Sequence, residues 1–157
     1  MNAMAEFKPS DLNFEARVRD SFNRQPAMHL IGARLSLVAP GHCEIELPRR
    51  TEITQQHGFV HGGVVGMIAD SAAGYAAFSL FPADSTVLTV EYKLNLLAPA
   101  DGERLVARSI VTKHGRTLTI CAIDVFAHKA GKVTPCATGL ATMMCLQGRP
   151  DAPRSPG

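Results

Sequence analysis

This sequence has no CxxC pair, no GxSxG turn, no internal repeat and no long run of like charges, and each absence removes a class of function. Charge is sparse: 19 % of residues are charged and the formal net charge is +2, too small and too scattered for nucleic acid to be the main partner. An anionic ligand would have to be met by a local basic cluster. The four cysteines, Cys43, Cys121, Cys136 and Cys145, sit inside apolar runs and read as reduced core thiols of a cytosolic protein, not as disulfides or zinc ligands. The opening MNAMAEFKPSD has no apolar core of the signal-peptide kind. The nearest approach to a membrane span, Gly62–Leu80, is broken by glycines and a central aspartate, which suits a core helix in water. The expectation is a soluble cytoplasmic protein without nucleic-acid or membrane partners.

The 157 residues are enough for one domain with one sizeable core. Ser10 is placed to cap a short amphipathic helix over about 11–24, which Pro26 would close. ARLSLVA and HCEIELP flank Pro40-Gly41, a hairpin signal. A polar loop follows to Val60, then an apolar helix from about Gly62 to Leu80, ended by Phe81-Pro82. Beyond it the pattern changes to period two. In VLTVEYKLNLL, alternation places Leu88, Val90, Tyr92, Leu94 and Leu96 on one face, with Thr89, Glu91, Lys93 and Asn95 on the other. Three further strands, within 103–113, 116–128 and 133–146, are joined by connections too short for crossover helices. The class is therefore α+β: a long helix against an antiparallel sheet of about six strands. One domain spans 1–146, and the Pro, Arg and Gly-rich 147–157 reads as a frayed tail.

One acidic side chain, Asp70, stands in the middle of the long helix. Its helical neighbours at i±3 and i±4 include Gly66 and Gly74, and each glycine costs about 1 kcal/mol relative to alanine in a helix interior. A helix that accepts this cost beside its only carboxylate makes room for a neighbour: another helix, or a ligand. At its start, His61-Gly62-Gly63 offers backbone N–H groups unobstructed by Cβ atoms, suited to a developing oxyanion. Gln55 and Gln56 offer neutral side-chain donors just upstream. Donors and an isolated carboxylate are the parts that acyl-transfer hydrolysis needs. Gly62 and Asp70, however, are separated by about 12 Å of helix, too far for one carbonyl to touch both. Two antiparallel copies would bring the N-terminus of one beside the aspartate of the other, which points to a symmetric dimer with composite sites.

HGGVVGMIADSAAGYAA, preceded by Gln55 and followed by TVEYKLNLLAPA, resembles the hotdog-fold acyl-CoA thioesterases, in particular the phenylacetate-pathway type, over roughly Gly32 to Cys145. The resemblance implies a hotdog fold, a long central helix wrapped by a curved antiparallel sheet, assembled as a homodimer or a dimer-of-dimers tetramer. It implies hydrolysis of a medium-chain or aryl acyl-CoA at the subunit interface, without a cofactor. By position, Asp70 corresponds to the catalytic carboxylate, as general base or nucleophile. Gly62 corresponds to the N–H that polarises the thioester carbonyl, and His61 to the residue shaping that turn. Gln55 falls at a water- or carbonyl-positioning site, and Thr89 at a Ser/Thr that orients water. Gly63, Gly66 and Gly74 would leave room for substrate, Gly74 standing where some relatives carry a hydroxyl. Gly115 and Arg116, in the basic turn Lys113–Arg116, would meet coenzyme A phosphates.

His57 and His61 are four apart, but the intervening glycines break a helix and no third ligand is suitably spaced, so no metal site is expected. Two alternatives share the fold: a non-catalytic acyl-CoA-binding protein, and a dehydratase or hydratase, which would need a catalytic histidine in other motifs.

Overall fold

The computed structural model describes residues 7–153. In chain order it runs α1 (Phe14–Asn23), α2 (Pro26–Ile31), β1 (Arg34–Ala39), β2 (His42–Pro48), a 3-10 turn (Thr51–Ile53), α3 (Gly62–Phe78), β3 (Ser85–Leu96), β4 (Arg104–His114), β5 (Leu118–Lys129) and β6 (Lys132–Gln147). The six strands form one antiparallel sheet in the order β1-β2-β4-β5-β6-β3, so β1 and β3 are its edges. α3 packs across it against β2, β4, β5, β3 and β6. This is the helix-in-sheet architecture of the hotdog fold.

The apolar composition of α3 explains its place. Val65, Ile68, Ala69, Ala72, Ala76 and Phe78 are buried on successive turns, and full burial of a residue like Phe78 is worth about 1.5–3 kcal/mol. The end of the helix region is held from outside. Arg17 donates to the carbonyls of Phe78 (3.2 Å), Phe81 (2.7 Å) and Pro82 (2.5 Å), with its guanidinium 4.3 Å from the Phe78 ring centroid. A cation there satisfies carbonyls that lack helical partners and complements the negative helix end.

Three expectations need correction. First, the N-terminal helix begins at Phe14 rather than near residue 11, and Ser10 is not its cap. Asp11 Oδ1 instead accepts from Asn13 N at 2.9 Å. Second, Pro26 opens α2 instead of merely ending α1, because a first-turn residue needs no N–H donor.

Third, simple alternation in β3 fails. The register slips between Thr89 and Glu91, so Val90 is an extra, bulged residue. The slip moves Thr89 onto the helix-facing side, which Tyr92 and Leu94 share further along the strand. It leaves Leu88 (58 % exposed) and Val90 (53 % exposed) uncovered on the edge strand. Gln147 ends β6, and beyond it Asp151 is bonded to Arg24 and Thr86. Residues 154–157, and the first six residues of the opening read for a leader, lie outside the described residues.

Candidate active site

Asp70 sits at mid-helix and is half-buried, at the edge of α3 that faces β3. Thr89 Oγ1 donates to Asp70 Oδ1 at 2.7 Å. A hydroxyl has one proton, so that bond leaves the Met143 sulfur, 3.5 Å from Thr89 Oγ1, as a packing neighbour. Thr89 keeps its lone pairs free to accept from water. Asp70 Oδ2 has no hydrogen-bond partner among the described residues. Burial pushes the Asp70 carboxyl above the usual carboxylate range, and the Thr89 bond offsets only part of that rise.

The pair opens into a cleft of about 580 Å³ whose walls include Ser21, Gln25, Ser71, Gly74, Tyr75 and Val87. The two helix glycines serve different ends. A Cβ on Gly74 would meet nothing within 4 Å, so that side of Asp70 is open. A Cβ on Gly66 would stand 3.2 Å from Tyr92 Oη, so the space there is already taken by the Tyr92 side chain.

The donors lie at the other end of the helix. His61 is the N-cap of α3, with its Nδ1 accepting from Gly63 N at 2.9 Å. This corrects the expectation of two free donors: Gly63 N–H is consumed by its own cap. Gly62 N–H, the first of the helix, has no acceptor among the described residues. Gln55 lies in a tight turn, with its N–H bonded to Phe59 O and its carbonyl to Gly58 N, both at 2.9 Å. Its side-chain oxygen accepts from His57 N, so the carboxamide NH2 is the group left to donate outward. Gln55 and Gly62 share a second cleft, about 340 Å³, walled by Phe59, Val65, Leu96, Leu97 and Pro99.

Within one chain the structure thus brings Asp70, Thr89 and Gly74 together, and separately Gln55, Gly62, His61 and Gly63. Gly115 and Arg116 join neither cleft. They form the exposed β4–β5 turn, where a Cβ on Gly115 would come within 2.5 Å of Leu118 O, so glycine is required there by the turn itself. Sequence reasoning passed over Gln25. Ser71 is signalled by adjacency to Asp70, but Gln25 is brought in only by the packing of α2. Among the described residues no three His, Cys, Asp or Glu side chains are grouped to hold a metal ion. None of the described helices is long and apolar enough to cross a membrane.

Residues 57–134 match the family described as the Thioesterase superfamily. The crystal structure of a thioesterase family protein from Silicibacter pomeroyi superposes with a TM-score of 0.85 at 48 % identity, covering 86 % of this chain and 99 % of that one. A protein of Saccharolobus solfataricus, named as a candidate esterase, is 30 % identical over 99 residues, which are 63 % of this chain and 69 % of the relative. The PaaI protein of the E. coli phenylacetic acid degradation operon superposes with a TM-score of 0.77, covering 87 % of this chain and 96 % of that one; at 16 % identity the likeness is one of fold.

Proposed function

The chain belongs to the thioesterase superfamily, and we propose that it hydrolyses a medium-chain or aryl acyl-CoA to the free acid and coenzyme A. The observation that carries the reading is Asp70 itself. A half-buried carboxylate with one oxygen held by Thr89 and the other unengaged opens into a cleft with room for an acyl group. In the proposed reaction Asp70 Oδ2 takes a proton from a water that Thr89 helps to hold, and that water attacks the thioester carbonyl carbon. Negative charge gathers on the carbonyl oxygen, where Gly62 N–H and the Gln55 carboxamide donate to it. The carbon–sulfur bond then breaks, and the leaving sulfur takes the proton that Asp70 removed from the water. Direct attack by Asp70 would use the same oxygen. Single-turnover hydrolysis in ¹⁸O water separates the two, because only direct attack labels Asp70.

The proposed site is composite. The Gly62 donors and Asp70 lie about 12 Å apart on one helix, so a second copy with its α3 antiparallel would supply one half of each site. The edge strand β3 favours such a partner: twelve residues long, it leaves Leu88, Val90, Tyr92 and Leu96 exposed, and a long apolar edge is otherwise an aggregation hazard. A homodimer is the minimal assembly, and pairing of two dimers would keep the same sites. Arg116 at the β4–β5 turn is assigned to the coenzyme A phosphates, outside the acyl cleft. The finer type proposed is that of the phenylacetate pathway, supported by the spacing of His61-Gly62-Gly63 to Asp70. The proposed location is the cytoplasm, in keeping with four free, buried cysteines.

Release of free thiol from a panel of acyl-CoAs tests the reading. Turnover lost in Asp70→Asn supports it; tight binding of acyl-CoA without turnover would instead make the protein a carrier or sensor. A dehydratase or hydratase is the weaker alternative, since no histidine lines the Asp70 cleft.

A further inference from the structure

After Gln147 the chain leaves β6 and runs alongside the Asp70 cleft, where Asp151, Ala152 and Pro153 form part of its wall. Asp151 uses both carboxylate oxygens to hold this segment in place. Oδ1 accepts from Thr86 Oγ1 on β3 at 2.9 Å, and Oδ2 accepts from Arg24 Nη2, just past α1, at 2.8 Å. Arg24 is itself steadied by Asp20, whose Oδ2 lies 3.0 Å from Arg24 Nε. Burial alone would raise the Asp151 carboxyl, but the nearby Ser21 hydroxyl and the bonds from Thr86 and Arg24 outweigh it and hold the group below the usual carboxylate range. The latch is therefore charged throughout the neutral range. Behind it, on the other side, lies a separate cleft of about 380 Å³ between Arg17, Asp20, Ala83, Asp84 and Pro150. Arg24 and Asp151 border both spaces.

We propose that the C-terminal segment Gly148–Pro153, latched by Asp151 to Arg24 and Thr86, is the end wall that limits the length of acyl chain the Asp70 cleft admits. The inference rests on the thioesterase reading above and adds what sets its chain-length limit. The latch is a partition, not a support for the core, because its bonds join three surface elements between two hollows. Opening it would let the two spaces run together and give a longer chain somewhere to go. Among the described residues, Arg24 is matched by both Asp151 and Asp20.

The test is a chain-length series of straight acyl-CoAs, from four to sixteen carbons in steps of two, given to the unaltered protein and to Asp151→Ala. kcat/KM of the unaltered protein should fall beyond a limiting length. In Asp151→Ala the ratio of long-chain to short-chain kcat/KM should rise, by at most about fourfold for each added methylene, because the hollow beyond is walled largely by charged side chains. Should Asp151→Ala fail to fold, Arg24→Ala and Thr86→Val each break one arm of the latch and should shift the same ratio. A length profile unchanged in all three variants overturns the proposal, as does a proportional loss at every length, which would make the latch merely structural. Absence of thiol release from every acyl-CoA by the unaltered protein would overturn the thioesterase reading and this inference with it, an outcome distinct from an unshifted profile.

Discussion

The two clefts beside α3 differ in their walls: the one at the helix start is mostly apolar, and the one at Asp70 mixes polar groups with Pro26, Val87 and Leu88. At the helix start, Gln55 and Gly62 face a hollow walled by Phe59, Val65, Leu96, Leu97 and Pro99. At mid-helix, Asp70 faces one edged by Ser21, Gln25, Ser71, Tyr75 and Thr89. The contrast suits two tasks. Donors aimed at a developing negative charge act more strongly where water is scarce, because the local dielectric is low. A base that must take a proton from water needs a wetter neighbourhood. Burial costs the carboxylate some of its acidity, and Asp70 keeps its charge only in part through the Thr89 hydroxyl. On the proposed reading Gly62 and Asp70 share one helix, about 12 Å apart, too far to serve one carbonyl from the same chain.

The largest expected effect comes from the carboxylate end. Asp70→Asn should fold, keep the Thr89 contact through its amide oxygen, and lose roughly 10²–10⁴ in kcat, the usual worth of a positioned base or somewhat more. Steady-state thiol release on the purified variant measures it. Near-native turnover would leave the polar cleft without a chemical role.

The donor end should matter somewhat less. Gln55→Ala removes one neutral donor and should lower kcat by about 10²–10³ with little change in KM, because the bond forms fully only in the transition state. A change in KM alone would instead make Gln55 a ground-state contact.

Mixing the two variants asks whether the clefts belong to different subunits in one site. Co-refolded Asp70→Asn and Gln55→Ala chains should regain about a quarter of native activity, since half of random dimers are mixed and one of their two sites is whole. No recovery in verified mixed dimers would mean that each chain completes its own site.

The smallest effect is on stability. The folded-state pKa of Asp70 is raised, so the fold binds its proton more tightly than the unfolded chain does. That contribution to stability is fully present below the unfolded carboxylate pKa and is lost as pH rises through the folded value. Asp70→Asn should therefore melt higher than the native protein at neutral pH, and the difference should shrink on acidification into the carboxylate range. Calorimetry across that range checks it, and an Asn variant that melts lower at neutral pH would mark Asp70 as a structural acceptor. The same raised pKa predicts that the acid limb of the rate profile lies above the ordinary aspartate value.

Much of this architecture could be read before any coordinates. The apolar helix between polar loops, the hairpin at Pro40-Gly41 and the four strands after Pro82 follow from local pattern, because period and chain-breaking residues act on near neighbours. Asp70 was conspicuous for a similarly local reason: one charge in an apolar helix has to be accounted for. The bulge at Val90 was not readable, since alternation looks regular and only pairing with β6 displaces the register. It matters, because that slip turns Thr89 toward Asp70. The capture of Gly63 N–H by His61 was missed too; glycines suggested a bare helix end, while the cap depends on one imidazole rotamer.

By itself, then, the sequence determined the order of elements, the isolation of one carboxylate and the 12 Å that separates it from the helix start, since each depends on residues close together in the chain. Tertiary structure decided which groups meet. Thr89 reaches Asp70 across 19 residues and Asp151 reaches Arg24 across 127, and neither meeting has a local signature. Such contacts are set by how the whole chain packs, because a hydrogen bond holds over about 3 Å whatever the length of chain between its partners.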